Sequence, residues 1–226
     1  RRAGHPARSG SCLRPKNAAA SPGGPALFET AIAELAGALG AAAVFVAVFA
    51  DADRRFMRTR AAWLDGQALP DFVYELATSP CARVTGTECR FVPSGIAAEF
   101  PSGTVFKEKG MDSYAALPLV DRAGAPLGLV VAMDRLPIAD GDAEHAETIL
   151  KIAAGRLAAE IERERADEAL KRSEASYRAI FEAAEDAIFI HEWDTGEVLD
   201  VNPKACATFG YDHDQLCRLS VADISS

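Results

Sequence analysis

Long apolar runs are missing from this sequence. The longest, residues 41–50, holds ten residues, about half of the roughly 20 that a helix needs to cross a bilayer, so no segment is expected to span a membrane. Cysteine is sparse and odd in number: Cys12, Cys81, Cys89, Cys206 and Cys217 are widely scattered with no secretory leader ahead of them. That argues against a disulfide framework and for reduced thiols in the cytoplasm. There is no CxxC spacing for a metal, no glycine-rich phosphate loop and no paired-glycine cyclase signature. No catalytic residue and no metal site is assigned.

Acidic residues are absent from residues 1–26, which carry five Arg or Lys, eight Gly or Pro and one large aliphatic side chain, Leu13. Such a segment buries too little surface to offset its ordering entropy and is expected to be disordered. It begins with Arg1 and has no apolar h-region, so it reads as the edge of a longer gene product rather than a signal peptide. The other 200 residues hold 19 basic against 33 acidic side chains, a net of −14. A body so acidic repels phosphate backbones and anionic lipid, which sets aside nucleic acid and membrane surfaces as main partners. The chain as a whole is 49% hydrophobic and 25% charged, the balance of a packed protein, and 226 residues suit two small domains.

Residues 27–39 place Leu27, Ala31, Leu35 and Leu39 four apart, an amphipathic helix ended by Gly40. In 43–50, Val44, Val46 and Val48 point one way and Phe45, Ala47 and Phe49 the other, so both faces are apolar and the segment predicts a central strand covered on both sides. Residues 56–63 alternate Arg58 and Arg60 with Met57, Thr59, Ala61 and Trp63, a half-exposed strand pairing back on the first. From 65 to 110 the pattern breaks up, and only 90–93 reads as extended. Residues 113–120 and 127–133 are two further strands, joined by the turn 121–126. A helix without proline then runs over about 143–184. Its seam Leu150, Ala154, Leu157 and Ile161 resumes at Leu170, Ser173, Tyr177 and Ile180.

Residues 74–134 carry Ser79-Pro80-Cys81 opening a short helix, Cys89 starting a strand, Phe100-Pro101, Gly110, Ser113-Tyr114 and Leu117-Pro118-Leu119. They resemble the GAF domains that precede PAS domains in bacterial sensor proteins. Where that family has Gly before its Pro-containing strand, this chain has Ala116. In 173–216, Tyr177 and Phe181 lead to Asp186-Ala187-Ile188, a hairpin across Asp194-Thr195-Gly196, Asn202-Pro203 opening a helix, and Phe209-Gly210-Tyr211. This stretch resembles the first half of a PAS domain. The expected fold class is α+β: a GAF-like antiparallel sheet flanked by helices, a long connecting helix and a truncated PAS-like domain. The expected division is a basic segment 1–26, a GAF-like domain 27–162, a helical linker 163–176 and the PAS-like half 177–226.

The resemblance implies a sensory module, and Trp63, Tyr74, Cys81, Cys89, Phe91 and Tyr114 are its candidate ligand-binding residues, although such residues also serve as plain core. Haem needs an axial ligand, and the one histidine of this domain is His145, beside Glu144 and Glu147. Bilin attachment in this family places His next to the reactive Cys, whereas Ala82 and Arg90 stand there. Cyclic-nucleotide binding uses an Asn, and residues 27–165 have none. All three cofactors are set aside, which leaves an unidentified small molecule. The parent is expected to be a sensor histidine kinase with its catalytic part downstream, since residues 145–148 lack the phosphoacceptor pattern. Input to a diguanylate cyclase or phosphodiesterase is the alternative. A rival of another class is a GAF-type methionine sulfoxide reductase using Cys81 and Cys89. The long helix is expected to pair in a parallel homodimer.

Overall fold

The computed structural model describes residues 25–84, 89–100, 104–139 and 141–224. They fall into two units, one up to Glu162 and one from Arg163 onward. The basic segment expected to be disordered lies outside the described residues but for its last two positions.

In the first unit the chain opens with α1 (Pro25–Leu39), then β1 (Ala43–Phe49), β2 (Phe56–Leu64), β3 (Gln67–Leu69) and β4 (Val73–Glu75). One turn of 3-10 helix (Pro80–Arg83) leads to β5 (Arg90–Val92), α2 (Ile96–Glu99), α3 (Thr104–Lys109), β6 (Ser113–Val120), β7 (Pro126–Asp134) and α4 (Asp142–Ala183). The strands form one antiparallel sheet in the order β3-β2-β1-β7-β6-β5, with β4 also on β2. The predicted central strand is therefore central, and its two faces part as the alternation requires. Val44 and Val46 join Phe28, Ile32 and Leu35 of α1 and Leu150, Leu157 and Ile161 of α4 in one buried cluster. Ala43 and Ala47 belong to a second cluster on the opposite face, with Met57, Tyr114, Leu129 and Val131.

Two corrections concern this half. The alternation of 56–63 put Met57 and Ala61 on one face, but a β-bulge intervenes: Val46 pairs with Ala61 and Ala47 with Thr59, so Arg60 is the extra residue. A bulge shifts the side-chain phase by one, which sends Met57 to one cluster and Ala61 to the other. The second correction is to the seam. Leu150, Ala154, Leu157 and Ile161 are 0–5% exposed, because they pack on their own sheet and not on a second chain.

Strands β3 and β4 went unforeseen. They are three residues each and almost wholly exposed, so no apolar alternation marks them. The signal present was Asp65-Gly66, with φ of +50° and +83°, the pair of left-handed residues that a two-residue hairpin turn demands. Nearby, fully buried Thr59 uses its hydroxyl to accept from the Phe72 amide at 2.8 Å and its own amide to donate to the Phe72 carbonyl at 3.0 Å.

The second unit holds the rest of α4, β8 (Phe189–His191), β9 (Val198–Val201), α5 (Pro203–Phe209), α6 (His213–Leu216) and α7 (Val221–Ile224). The two strands pair as the expected hairpin. Val198, Val201, Ala205 and Leu216 make a small core. Asn202 caps α5 by accepting from the Ala205 amide, as its position before Pro203 predicts. It does more than cap. Completely buried, its Oδ1 also accepts from the Ile188 amide at 2.9 Å, while Nδ2 donates to the carbonyls of Phe181 and Asp186 at 3.1 and 2.9 Å.

Gly128 tests the central pairing. A Cβ there would lie 2.1 Å from the Ala47 carbonyl oxygen across the β1–β7 ladder, and backbone cannot step aside as a flexible side chain can. Gly128→Ala is expected to cost about 2–3 kcal/mol and lower the Tm by several degrees. Gly155, in α4 with nothing within 4 Å, should gain up to about 1 kcal/mol as Ala from helix propensity. Thermal melts of both variants check the pair; equal behaviour would show that β1 and β7 do not approach this closely.

Candidate functional site

The face of the sheet opposite α1 and α4 is covered by Leu76, Cys81, Val84, Ile96 and Met111 from the irregular segments, and among the described residues the cover is incomplete. It leaves a cavity of about 420 Å³. Strand register decides which side chains reach it. Leu64, Ala43, Met133 and Tyr114 sit opposite one another across β2, β1, β7 and β6 on the cavity face. The next row, Trp63, Val44, Ala132, Ala115 and Phe91, faces the helices.

Of the six candidate residues, the structure brings three together. Tyr74 Oη donates to Cys81 Sγ at 3.4 Å, and Cys81 Sγ lies 3.3 Å from Tyr114 Oη. Tyr114 and Cys81 are buried at 1% and 4% exposure, yet both line the cavity. Trp63 borders the cavity but packs against the helix-side cluster. Cys89 and Phe91 pack against that same cluster and do not belong to the site. The two cysteines of the reductase reading therefore stand on opposite faces of the sheet. The helix expected to start at Cys81 is a single 3-10 turn, too short for a sizeable dipole.

Two residues not foreseen complete the wall. Phe45, Phe72 and Tyr74 form a triangle of rings with centroids 5.9–6.1 Å apart, edge-on for both pairs that include Phe45, which quadrupolar rings prefer. Phe45 was legible as an apolar face of β1. Phe72 was not, because its neighbours in sequence give no periodicity. Charge comes from Glu75 and Lys109 alone among the described lining residues. Lys109 is held through its backbone, whose carbonyl accepts from Arg135 Nε at 3.0 Å. The same guanidinium grips Asp65 through two 2.7 Å hydrogen bonds and keeps that carboxyl below its ordinary pKa.

Burial is the larger cause, and neighbouring Cys81 the next, that pushes the pKa of both Tyr74 and Tyr114 well above the ordinary phenol value. Both remain protonated donors at any physiological pH. Tyr74 spends its hydrogen on sulfur, a weak acceptor, and Tyr114 shares a single hydrogen bond with the same sulfur. The site thus offers an apolar, aromatic-walled space with two convergent hydroxyls beside a thiol. Among the described residues no cluster of His, Cys, Asp and Glu is arranged to hold a metal ion, and no helix is long and apolar enough to cross a membrane.

Residues 175–225 match the family model described as "PAS domain", so the second unit contains a PAS-type segment, as its sequence motifs imply. Ahead of it stands an antiparallel sheet flanked by helices, the fold that the GAF resemblance implies. A search of curated proteins gives no match. Among solved structures, the chain is similar to a domain described as that of a two-component sensor histidine kinase protein from Sinorhizobium meliloti 1021. The identity is 23%, the match covers 64% of this chain and 94% of that one, and the TM-score is 0.48. It is also similar to the PixJ GAF-domain of Thermosynechococcus elongatus in its blue-light absorbing form, with 18% identity over 66% and 92% of the two chains and a TM-score of 0.48. The chromophore-binding domain of a bacteriophytochrome from R. palustris matches at 15% identity over 62% and 57%, with a TM-score of 0.47.

The burial of Cys89 on the helix side is testable by pH. Burial first, then the Glu147 carboxylate, push its thiol up to about 12. Only the thiolate reacts with iodoacetamide, so alkylation of Cys89 should rise about tenfold per pH unit from 7 to 10 with no plateau, whereas an unperturbed thiol of pKa about 8.5 levels off near pH 9. Peptide-resolved mass spectrometry reads the rate. A plateau below pH 10 would place Cys89 outside the helix-side core.

Proposed function

We propose that this chain is the sensory input region of a cytoplasmic signal-transduction protein whose downstream part is a histidine kinase. In this reading the chain binds a small, uncharged, largely apolar molecule and relays its presence through α4. The observation that carries the reading is the cavity: it is apolar, and Tyr74 and Tyr114 aim two donors at its floor beside Cys81. Apart from Glu75 and Lys109 the described lining is uncharged, so a charged ligand group held against the aromatic wall and the two hydroxyls would lose its hydration without a counter-charge beside it. A neutral acceptor such as a ketone oxygen replaces a poor sulfur partner by a good one. The sheet that floors the cavity carries α4 on its other face through Leu150, Leu157 and Ile161, so strand shifts reach the helix by direct packing. The kinase parent rests on the GAF-then-PAS order, the input arrangement that the resemblance associates with such proteins.

The probes are 2-acetylnaphthalene and 2-ethylnaphthalene, nearly equal in shape and different in one carbonyl. Both should raise the Tm of the full chain. The ketone should bind up to about tenfold tighter, the value of one net hydrogen bond, and Tyr114→Phe should erase most of that difference. Calorimetric titration measures it. Equal affinities for ketone and hydrocarbon would remove the hydroxyls from recognition, and no binding of either would remove the ligand reading.

Pairing of α4 in a parallel homodimer belongs to the same proposal, carried by the later part of the expected seam alone, since its first four residues are buried on their own sheet. From Arg163 to Ile180 no residue of α4 is buried, and Leu170, Tyr177 and Ile180 are 53–70% exposed at three-and-four spacing with Ser173. A helix stretch so bare gains stability by covering that stripe. Sedimentation equilibrium of the full chain should show a dimer at micromolar concentration that Leu170→Glu with Ile180→Glu dissociates. A monomer at high micromolar concentration would end the pairing hypothesis.

A further inference from the structure

A second cluster of chemically capable side chains lies in the PAS-type unit, apart from the cavity. His213 opens α6 and Cys217 caps its C-terminus. Four residues apart, they stand on one helix face one turn from each other, and Cys217 Sγ lies 3.8 Å from both Nδ1 and Nε2 of the ring. Asp200 reaches across from β9, its Oδ1 2.8 Å from His213 Nε2, while Asp214 Oδ1 stands 3.6 Å from Nδ1. The Leu199 carbonyl also accepts from the thiol at 3.8 Å. Cys217 is half-buried and packs at the edge of the small core, and His213 and Asp200 are about half exposed, so a small solute reaches the sulfur.

The ring is poised to be positive. Its hydrogen bond to Asp200 is the largest influence, and with Asp214 it outweighs a slight desolvation, raising the His213 pKa above the ordinary value. An imidazolium against a thiol favours the thiolate, the form that reacts. Asp200 fixes the ring while its Oδ1 also accepts from the Val201 amide at 2.9 Å, so the carboxylate is held from its own strand. Nucleophile, cation and orienting carboxylate thus occur in the sequence a reactive cysteine needs, on elements that the hairpin and α6 hold together.

We propose that Cys217 is a modification site, a thiol oxidised by hydrogen peroxide with His213 as its charge partner and Asp200 as a positioning residue. The Cys217 thiolate attacks one peroxide oxygen, an S–O bond forms and the O–O bond breaks. Sulfur loses two electrons to the peroxide, and the departing hydroxide takes the His213 imidazolium proton and leaves as water. The product is the sulfenic acid, the reversible first rung of cysteine oxidation. The polar group added there sits beside the Leu199 carbonyl in the hairpin, at the edge of the core formed by Val198, Val201, Ala205 and Leu216. This inference does not depend on the cavity or its ligand.

The experiment treats the full chain with hydrogen peroxide, traps sulfenic acid with dimedone and follows each cysteine peptide by mass spectrometry. Cys206, half-buried on α5 in the same unit, is the internal reference. Each pKa unit by which a cation lowers a thiol multiplies the thiolate tenfold and returns about half of that, on a logarithmic scale, as weaker nucleophilicity. A net advantage of roughly threefold or more over Cys206 is expected. His213→Gln should abolish that advantage and Asp200→Asn should reduce it, both with the Cys206 rate unchanged. Labelling of Cys217 no faster than Cys206, or unaffected by His213→Gln, overturns the proposal. Equal change at both cysteines also overturns it, because packing alone would then set the rates. Should His213→Gln melt early, Asp200→Asn decides, since its remaining oxygen still accepts from Val201.

Discussion

Everything in the first unit hangs on a strand that is apolar on both faces. β1 pairs with β2 on one side and β7 on the other, and its valines and its alanines feed separate cores. A two-faced strand needs two covers, and the two are unlike. Regular helices close one face with long aliphatic side chains. Short strands, one 3-10 turn and two small helices close the other, and irregular backbone does not fill space as an interdigitated helix does. The cavity follows from that asymmetry.

The same asymmetry explains what could be read in advance. Residues 43–50 declared both their strand character and their two faces, because apolar alternation is a local property. The helix 142–183 was legible for the same reason, within a residue at each end. Its seam was misassigned because a three-four stripe looks alike whether a sheet or a second helix covers it; only the tertiary structure shows that Leu150 and Leu157 meet their own β1 and β7 cluster. The hairpin 189–201 and the cap at Asn202 followed from turn and cap chemistry.

The site was half legible. Tyr74, Cys81 and Tyr114 drew notice as aromatic or nucleophilic residues and do converge. Phe91 and Cys89 drew equal notice and lie on the other face, since strand parity is meaningful only once register is known, and register across β5, β6 and β7 is set by pairing between segments as distant in sequence as Arg90 and Ala116. Phe72 escaped because its role comes from the buried Thr59 hydroxyl that holds its backbone. His213, Asp200 and Cys217 escaped as a group, because a strand and a short helix had to be brought side by side first.

Asn202 has a mechanical meaning beyond its hydrogen-bond count. One amide group is shared by the last turn of α4, through Phe181, by the segment entering β8, through Asp186 and Ile188, and by the first turn of α5, through Ala205. Twisting the end of α4 against the hairpin would strand several buried backbone groups at once, at about 1–3 kcal/mol each. Helix end, hairpin and α5 therefore turn as a single piece, and any torque arriving along α4 meets a clutch that is engaged rather than a slipping joint.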